Sequence, residues 1–126
     1  MQRWVGIGAL YVALSAFFTR PLFAFPNATG WRDWDFHLFL HAAVLKSLVE
    51  YGQLPLWNPW YCGGNVLWAN PQVAFFSPVY PLAAVMSIPL AMKITIVIHY
   101  WIGLVGMHLL LTRVIGLKFL PAILFL

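Results

Sequence analysis

The chain has 126 residues, of which 63% are hydrophobic, 17% aromatic and 8% charged, with a formal net charge of +4 and a mean hydropathy of +0.84. A soluble domain carries roughly 25% charged residues, so this composition lacks the polar surface to cover a water-exposed globule and predicts an integral membrane protein. The seven cations are scattered singly, which argues against a nucleic-acid partner, and the one cysteine, Cys62, excludes an internal disulfide and supplies no metal motif.

Residues 4–18 are uncharged and almost wholly apolar, and with the segment up to Phe25 they make a first span over about 4–25. Arg20 then falls in the last turns, where it snorkels to the far interface, and Pro21 kinks or ends the helix. A cleavable signal peptide competes with this reading, but residues 15–28 hold no clear small-x-small cleavage site, so an uncleaved anchor is expected. Asn27-Ala28-Thr29 matches the N-glycosylation pattern, which matters only in a eukaryotic secretory setting.

All three acidic residues, Asp33, Asp35 and Glu50, lie between the two most apolar regions. Residues 33–51 read as an amphipathic helix closed by Gly52, with Leu38, His41, Ala42, Leu45, Leu48 and Val49 on one face and Lys46 and Glu50 on another. Its His, Lys and Glu content predicts a helix lying at the outer interface, anchored by Trp31, Trp34 and Phe36. Residues 53–70 are dense in Pro, Gly, Asn and Trp, the composition of an ordered, turn-rich loop. A short helix interrupted by Pro78 and Pro81 is expected over about 71–88.

The second span is expected over about 89–115, bounded by Lys93 and Arg113, with Gly103 and Gly106 allowing close approach of a neighbouring helix. Arg3 precedes the first span, and Arg113 and Lys118 follow the second. The positive-inside rule therefore puts both ends in the cytoplasm and residues about 27–87 outside. A third apolar run begins at Phe119, too short to cross the hydrocarbon core, which predicts that these residues are the N-terminal portion of a longer multi-span protein. The expected fold is thus all-α and polytopic: two transmembrane helices, an outer juxtamembrane amphipathic helix and the start of a third span.

Asp33 and Asp35, at a helix N-terminus on the outer face, are placed to act as a general base or as metal ligands. The plainer reading makes Asp33 an N-cap and leaves Asp35 favoured by the helix dipole. His37 and His41 share a helix face and suit a phosphate or metal, yet no third ligand stands at useful spacing, so a divalent metal is open but unsupported and the cofactor is unknown. His99 and His108 fall on nearly opposite faces of the second span, so a shared metal is not expected; one of them facing the interior would need a partner. Arg20, Arg32, Lys46 and Lys93 are cations near the outer interface, suited to a lipid-linked phosphate or to plain interfacial anchoring. Trp57, Trp60 and Trp68, with Tyr61, Asn58, Asn65 and Asn70, suit stacking on a sugar ring and hydrogen bonding to its hydroxyls, or burial at headgroup level. Cys62 reads as a small packing residue.

The order of these motifs resembles the N-terminus of GT-C membrane glycosyltransferases and, more narrowly, the YfhO-like bacterial membrane proteins. The likeness runs over most of residues 1–118. It rests on a first span, the aspartates at the start of an outer helix, and Gly52-Gln53-Leu54-Pro55-Leu56-Trp57-Asn58-Pro59. Gly63-Gly64-Asn65, Asn70-Pro71-Gln72 and Ser77-Pro78-Val79-Tyr80-Pro81 continue it, while Trp34 stands where many such enzymes carry a second acidic residue. The resemblance implies inverting transfer of a sugar from a polyprenyl-phosphate donor on the extracytoplasmic side. Asp33 or Asp35 would be the base, and Arg32, His37, His41, Trp57, Asn58, Asn65 and Asn70 would line the substrate site. The contrasting expectation is a non-enzymatic anchor or transporter-like component whose outer loop binds lipid headgroups or a protein partner.

Overall fold

The structure, a computed structural model, describes residues 2–25, 28 and 33–117. The N-glycosylation pattern, Arg32, Trp31, Lys118 and the apolar run from Phe119 therefore fall outside the described residues. The fold is mostly helical. Its long elements are α1 (Gln2–Thr19), α2 (Trp34–Leu45) and α3 (Ile88–Leu109), and a two-residue antiparallel ladder joins β1 (Trp57–Asn58) to β2 (Asn65–Val66). Pure all-α architecture thus gains a minimal hairpin, too short to leave an alternating signature in sequence.

Two helical stretches are long and apolar enough to cross a membrane: Val5–Phe23, of 19 residues, and Ile88–Val114, of 27. Only 17% and 11% of their most apolar windows are buried, whereas the core helix of a soluble domain is mostly covered. Each stretch changes helical type near its end. Pro21 has no amide hydrogen to donate, and Arg20–Phe23 tightens into a 3-10 turn; Leu110–Val114 loosens into a π-turn.

The chain divides into two compact units. The first holds α1 with its 3-10 extension and α3 from residue 94 onward. Tyr11 of α1 shares a 2.8 Å hydrogen bond with Nδ1 of His108, and Phe18 meets the ring of Tyr100 at 6.2 Å. Ascending positions on α1 match descending positions on α3, so the two run antiparallel. The buried hydroxyls of Ser15 and Thr19 each donate to the carbonyl four residues back, at 2.7 and 2.6 Å, which satisfies them inside their own helix. Gly103 and Gly106 have open space where a Cβ would stand, so among the described residues no neighbour exploits their small size.

The second unit comprises residues 25–93. Its core is built on Leu40, Ala43 and Val44 of α2 packed with Leu67, Val73 and Tyr80, and edged by Phe36, Phe39, Leu45, Leu48 and Phe75. Complete burial of a side chain such as Leu40 contributes about 1.5–3 kcal/mol. The buried stripe of Leu40, Ala43, Val44 and Ser47 departs from the face expected by periodicity: Ala42 and Val49 are exposed. Nine of the twelve residues of α2 are apolar, so spacing alone does not choose a face, and the segments around Val73 and Tyr80 choose it instead.

α2 continues as a π-turn over Lys46–Glu50, and Gly52, at φ +59°, ends it in the left-handed conformation while Gln53 N donates to Ser47 O at 2.9 Å. The helix expected over 71–88 is instead two short 3-10 turns, Pro71–Val73 and Tyr80–Ala84. Pro71, Pro78 and Pro81 withhold three amide donors within eleven residues, which no continuous α-helix accommodates.

Candidate functional site

The candidate site lies in the second unit, at the start of α2 and along the 53–70 loop. Asp33 occupies the N-cap position, its carbonyl accepting from His37 N at 3.0 Å, but its carboxylate makes no capping hydrogen bond. Asp35 lies in the first turn, where the helix dipole favours a negative charge. Both are exposed. Among the described residues neither carboxylate enters an ion pair or side-chain hydrogen bond, so two adjacent acidic groups face outward uncommitted.

His41 is held more firmly. Its Nδ1 donates to His37 O at 2.9 Å, its ring stacks on Tyr80 at 5.3 Å, and the Tyr80 hydroxyl donates to His41 O at 3.0 Å. Burial pushes the His41 pKa below its ordinary value; the bond to the His37 carbonyl opposes this and repulsion from His37 adds to it. The imidazole is therefore neutral near pH 7, protonated on Nδ1, with Nε2 left as an acceptor. Burial also raises the Tyr80 pKa, keeping that hydroxyl a donor. Nothing in the spacing of the sequence announces Tyr80 as the partner of His41.

The 53–70 loop turns on Cys62, Gly63 and Gly64, all at positive φ. Cys62 is exposed at this turn, which corrects its reading as a packing residue. Gly64 is the one position here where a side chain has no room: a Cβ would lie 2.5 Å from the Trp57 indole. The ladder pairs Trp57 with Val66 and Asn58 with Asn65. Asn58 is fully buried, its Oδ1 accepting from Trp60 N at 3.0 Å. Its Nδ2 and the Oδ1 of its ladder partner Asn65 are buried without a hydrogen-bond partner, a donor and an acceptor at matching register.

Asn70 caps the 3-10 turn by accepting from Gln72 N at 2.9 Å, which commits one lone pair of its Oδ1 and leaves its amide hydrogens for a ligand. Trp57 is exposed, with Gly64 against its ring. Trp60 stacks on Tyr51 at 6.1 Å, and Lys46, itself 3.4 Å from Glu50, lies 5.5 Å above its ring. Tyr61 joins loop to helix, its ring 5.4 Å from Phe36 and 5.8 Å from Phe39. The turn is thereby held against the first turns of α2, the same end that carries Asp33 and Asp35. Among the described residues no hydrogen bond or ion pair links the aspartates to Trp57, Asn58, Asn65 or Asn70.

Lys93 has a structural task that its position near an apolar segment does not reveal. It is buried, and its Nζ donates to the carbonyls of Phe25 at 2.6 Å and Ala28 at 2.8 Å. No group of three or more His, Cys, Asp or Glu side chains suited to a metal occurs among the described residues. Comparison with protein-family models, with curated proteins and with solved structures returns no match.

Proposed function

We propose that these residues form part of a membrane-embedded glycosyltransferase of the GT-C kind, transferring a sugar with inversion from a polyprenyl-phosphate donor on the extracytoplasmic face. α1 and α3 cross the bilayer, with their basic flanks in the cytoplasm and the 27–87 region outside. The observation that carries this reading is the uncommitted carboxylate of Asp33 beside an equally open Asp35. An aspartate that only capped α2 would spend its oxygen on an amide of the first turn. One of the two carboxylates takes the proton of the acceptor hydroxyl as that oxygen attacks the anomeric carbon. The bond to the lipid phosphate breaks at the same carbon, and the phosphate leaves with the electron pair. The exposed Trp57 supplies a stacking face and the half-buried Asn65 and Asn70 supply amide groups of the kind a sugar requires, while the fully buried Asn58 holds the ladder beneath them.

Asp33→Asn, Asp35→Asn and the double variant, made in the full-length protein in membranes, test this by transfer of labelled sugar from a polyprenyl-phosphate donor. Removing the base lowers turnover by about 10²–10⁴-fold, and the single variant that reproduces the loss identifies it. Wild-type turnover in the double variant overturns the reading and leaves the loop as an anchor for lipid headgroups or a protein partner.

A further inference from the structure

Every acidic residue of the chain, Asp33, Asp35 and Glu50, belongs to the second unit. Residues 1–24 and 94–126, which make up the first unit, hold no aspartate or glutamate side chain. One cation of that unit, Arg20, is exposed on the 3-10 turn that follows α1, and among the described residues its guanidinium makes no hydrogen bond or ion pair. Around it opens a groove of about 680 Å³ lined by Phe17, Phe18, Pro21, Phe23 and Ala24. Phe17 and Phe18 are 67% and 60% exposed, an apolar surface with one permanent positive charge set in it.

We infer that this groove binds an anionic membrane phospholipid, its phosphate on the Arg20 guanidinium and its acyl chain along Phe17, Phe18 and Phe23. Depth fits this occupant. From Gln2 to Thr19, α1 has 18 residues, about 27 Å at 1.5 Å per residue, which puts Arg20 at the headgroup level when the helix crosses a bilayer about 30 Å thick. Charge fits it as well: a guanidinium offers planar, bidentate donation to phosphate oxygens, and no Asp or Glu side chain in the first unit competes for it. A free phosphate would gain nothing from the aromatic walls. A purely apolar partner would leave the guanidinium desolvated and unpaired.

The inference rests on the membrane placement of α1 but not on the glycosyltransferase chemistry. Its test is native mass spectrometry of the full-length protein released from mixed phosphatidylglycerol and phosphatidylcholine bilayers, with the wild type, Arg20→Gln, Arg20→Lys and Lys46→Gln compared. Retained phosphatidylglycerol should exceed phosphatidylcholine in the wild type, and Arg20→Gln should reduce that preference about fivefold. Arg20→Lys should keep most of it. Lys46→Gln, which removes a cation already paired with Glu50, should keep all of it. An unchanged preference in Arg20→Gln, with circular dichroism showing the helices intact, overturns the lipid site. Alkaline carbonate extraction of the same membranes separates the two failures: release of the protein overturns the membrane placement too, and retention without lipid preference overturns the lipid site alone.

Discussion

The Tyr11 hydroxyl and Nδ1 of His108 lie 2.8 Å apart, joining positions 97 residues distant in the chain and tying α1 to α3. Both side chains are buried on helices that otherwise expose most of their surface. Tyr11→Phe or His108→Leu should each destabilise this helix pair by about 0.5–2 kcal/mol, the range for polar contacts between apolar helices. Because both changes remove the same contact, the double variant should cost less than the sum of the singles. Unfolding titrations in mild detergent measure this, and strict additivity would show that the contact contributes nothing as a pair.

Gly63 and Gly64 separate two effects that adjoining glycines usually confound. Gly63→Ala meets no neighbour and should cost only the left-handed backbone penalty, about 1 kcal/mol. Gly64→Ala drives a methyl into the Trp57 indole and should cost about 1–3 kcal/mol more, with a change in tryptophan emission. Equal effects of the two changes would contradict the packing of Gly64 on that ring.

His41 makes the second unit sensitive to acid. Its folded pKa is lowered from the ordinary 6.5, chiefly by burial. The unfolded chain therefore binds the proton more readily, so the stability this residue contributes is complete above about pH 6.5 and is lost as pH falls toward the folded value. Unfolding midpoints should decline between about pH 7 and pH 5, and His41→Gln should flatten that decline. A wild-type midpoint that is constant across this interval would count against a neutral, buried imidazole.

Lys93→Met should release the backbone at Phe25 and Ala28, since two carbonyls lose a charged donor. Hydrogen bonds to charged groups contribute about 1.5–3 kcal/mol each, so hydrogen exchange of the Ala28 amide, which donates to Phe25 O at 3.1 Å, should quicken. Unaltered protection there would remove the clamp from the account.

The long helices were legible because apolar length is a one-dimensional property: an uncharged run over 4–18 or 94–111 needs no partner to be recognised. The limits of α2 were legible for a similarly local reason, with Asp33 at its start and Gly52 past its end. Its buried face was not, because a helix so largely apolar takes its orientation from Val73 and Tyr80, about thirty to forty residues downstream. Three prolines over 71–81 were visible, but a helix with interruptions and two 3-10 turns differ only in how the freed carbonyls are satisfied. At the site, the aspartates stood out by rarity of charge. The commitments of Asn58, Asn70, His41 and Lys93 are hydrogen bonds that residue type does not specify, and the expectation that an interior histidine needs a partner gave no hint that Tyr11 would supply it.

The π-turn at Lys46–Glu50 gives α2 a reserve of length. A turn closed by bonds five residues apart holds one residue more than an α-turn of similar rise, so the helix has in effect taken up an extra amino acid without growing longer. Loss of a single residue between Lys46 and Glu50 would let the segment relax into ordinary α-helix, with Gly52 still available to end it. Length variation that would throw a regular helix out of register with its neighbours has an outlet here, at the end of α2 remote from Asp33 and Asp35.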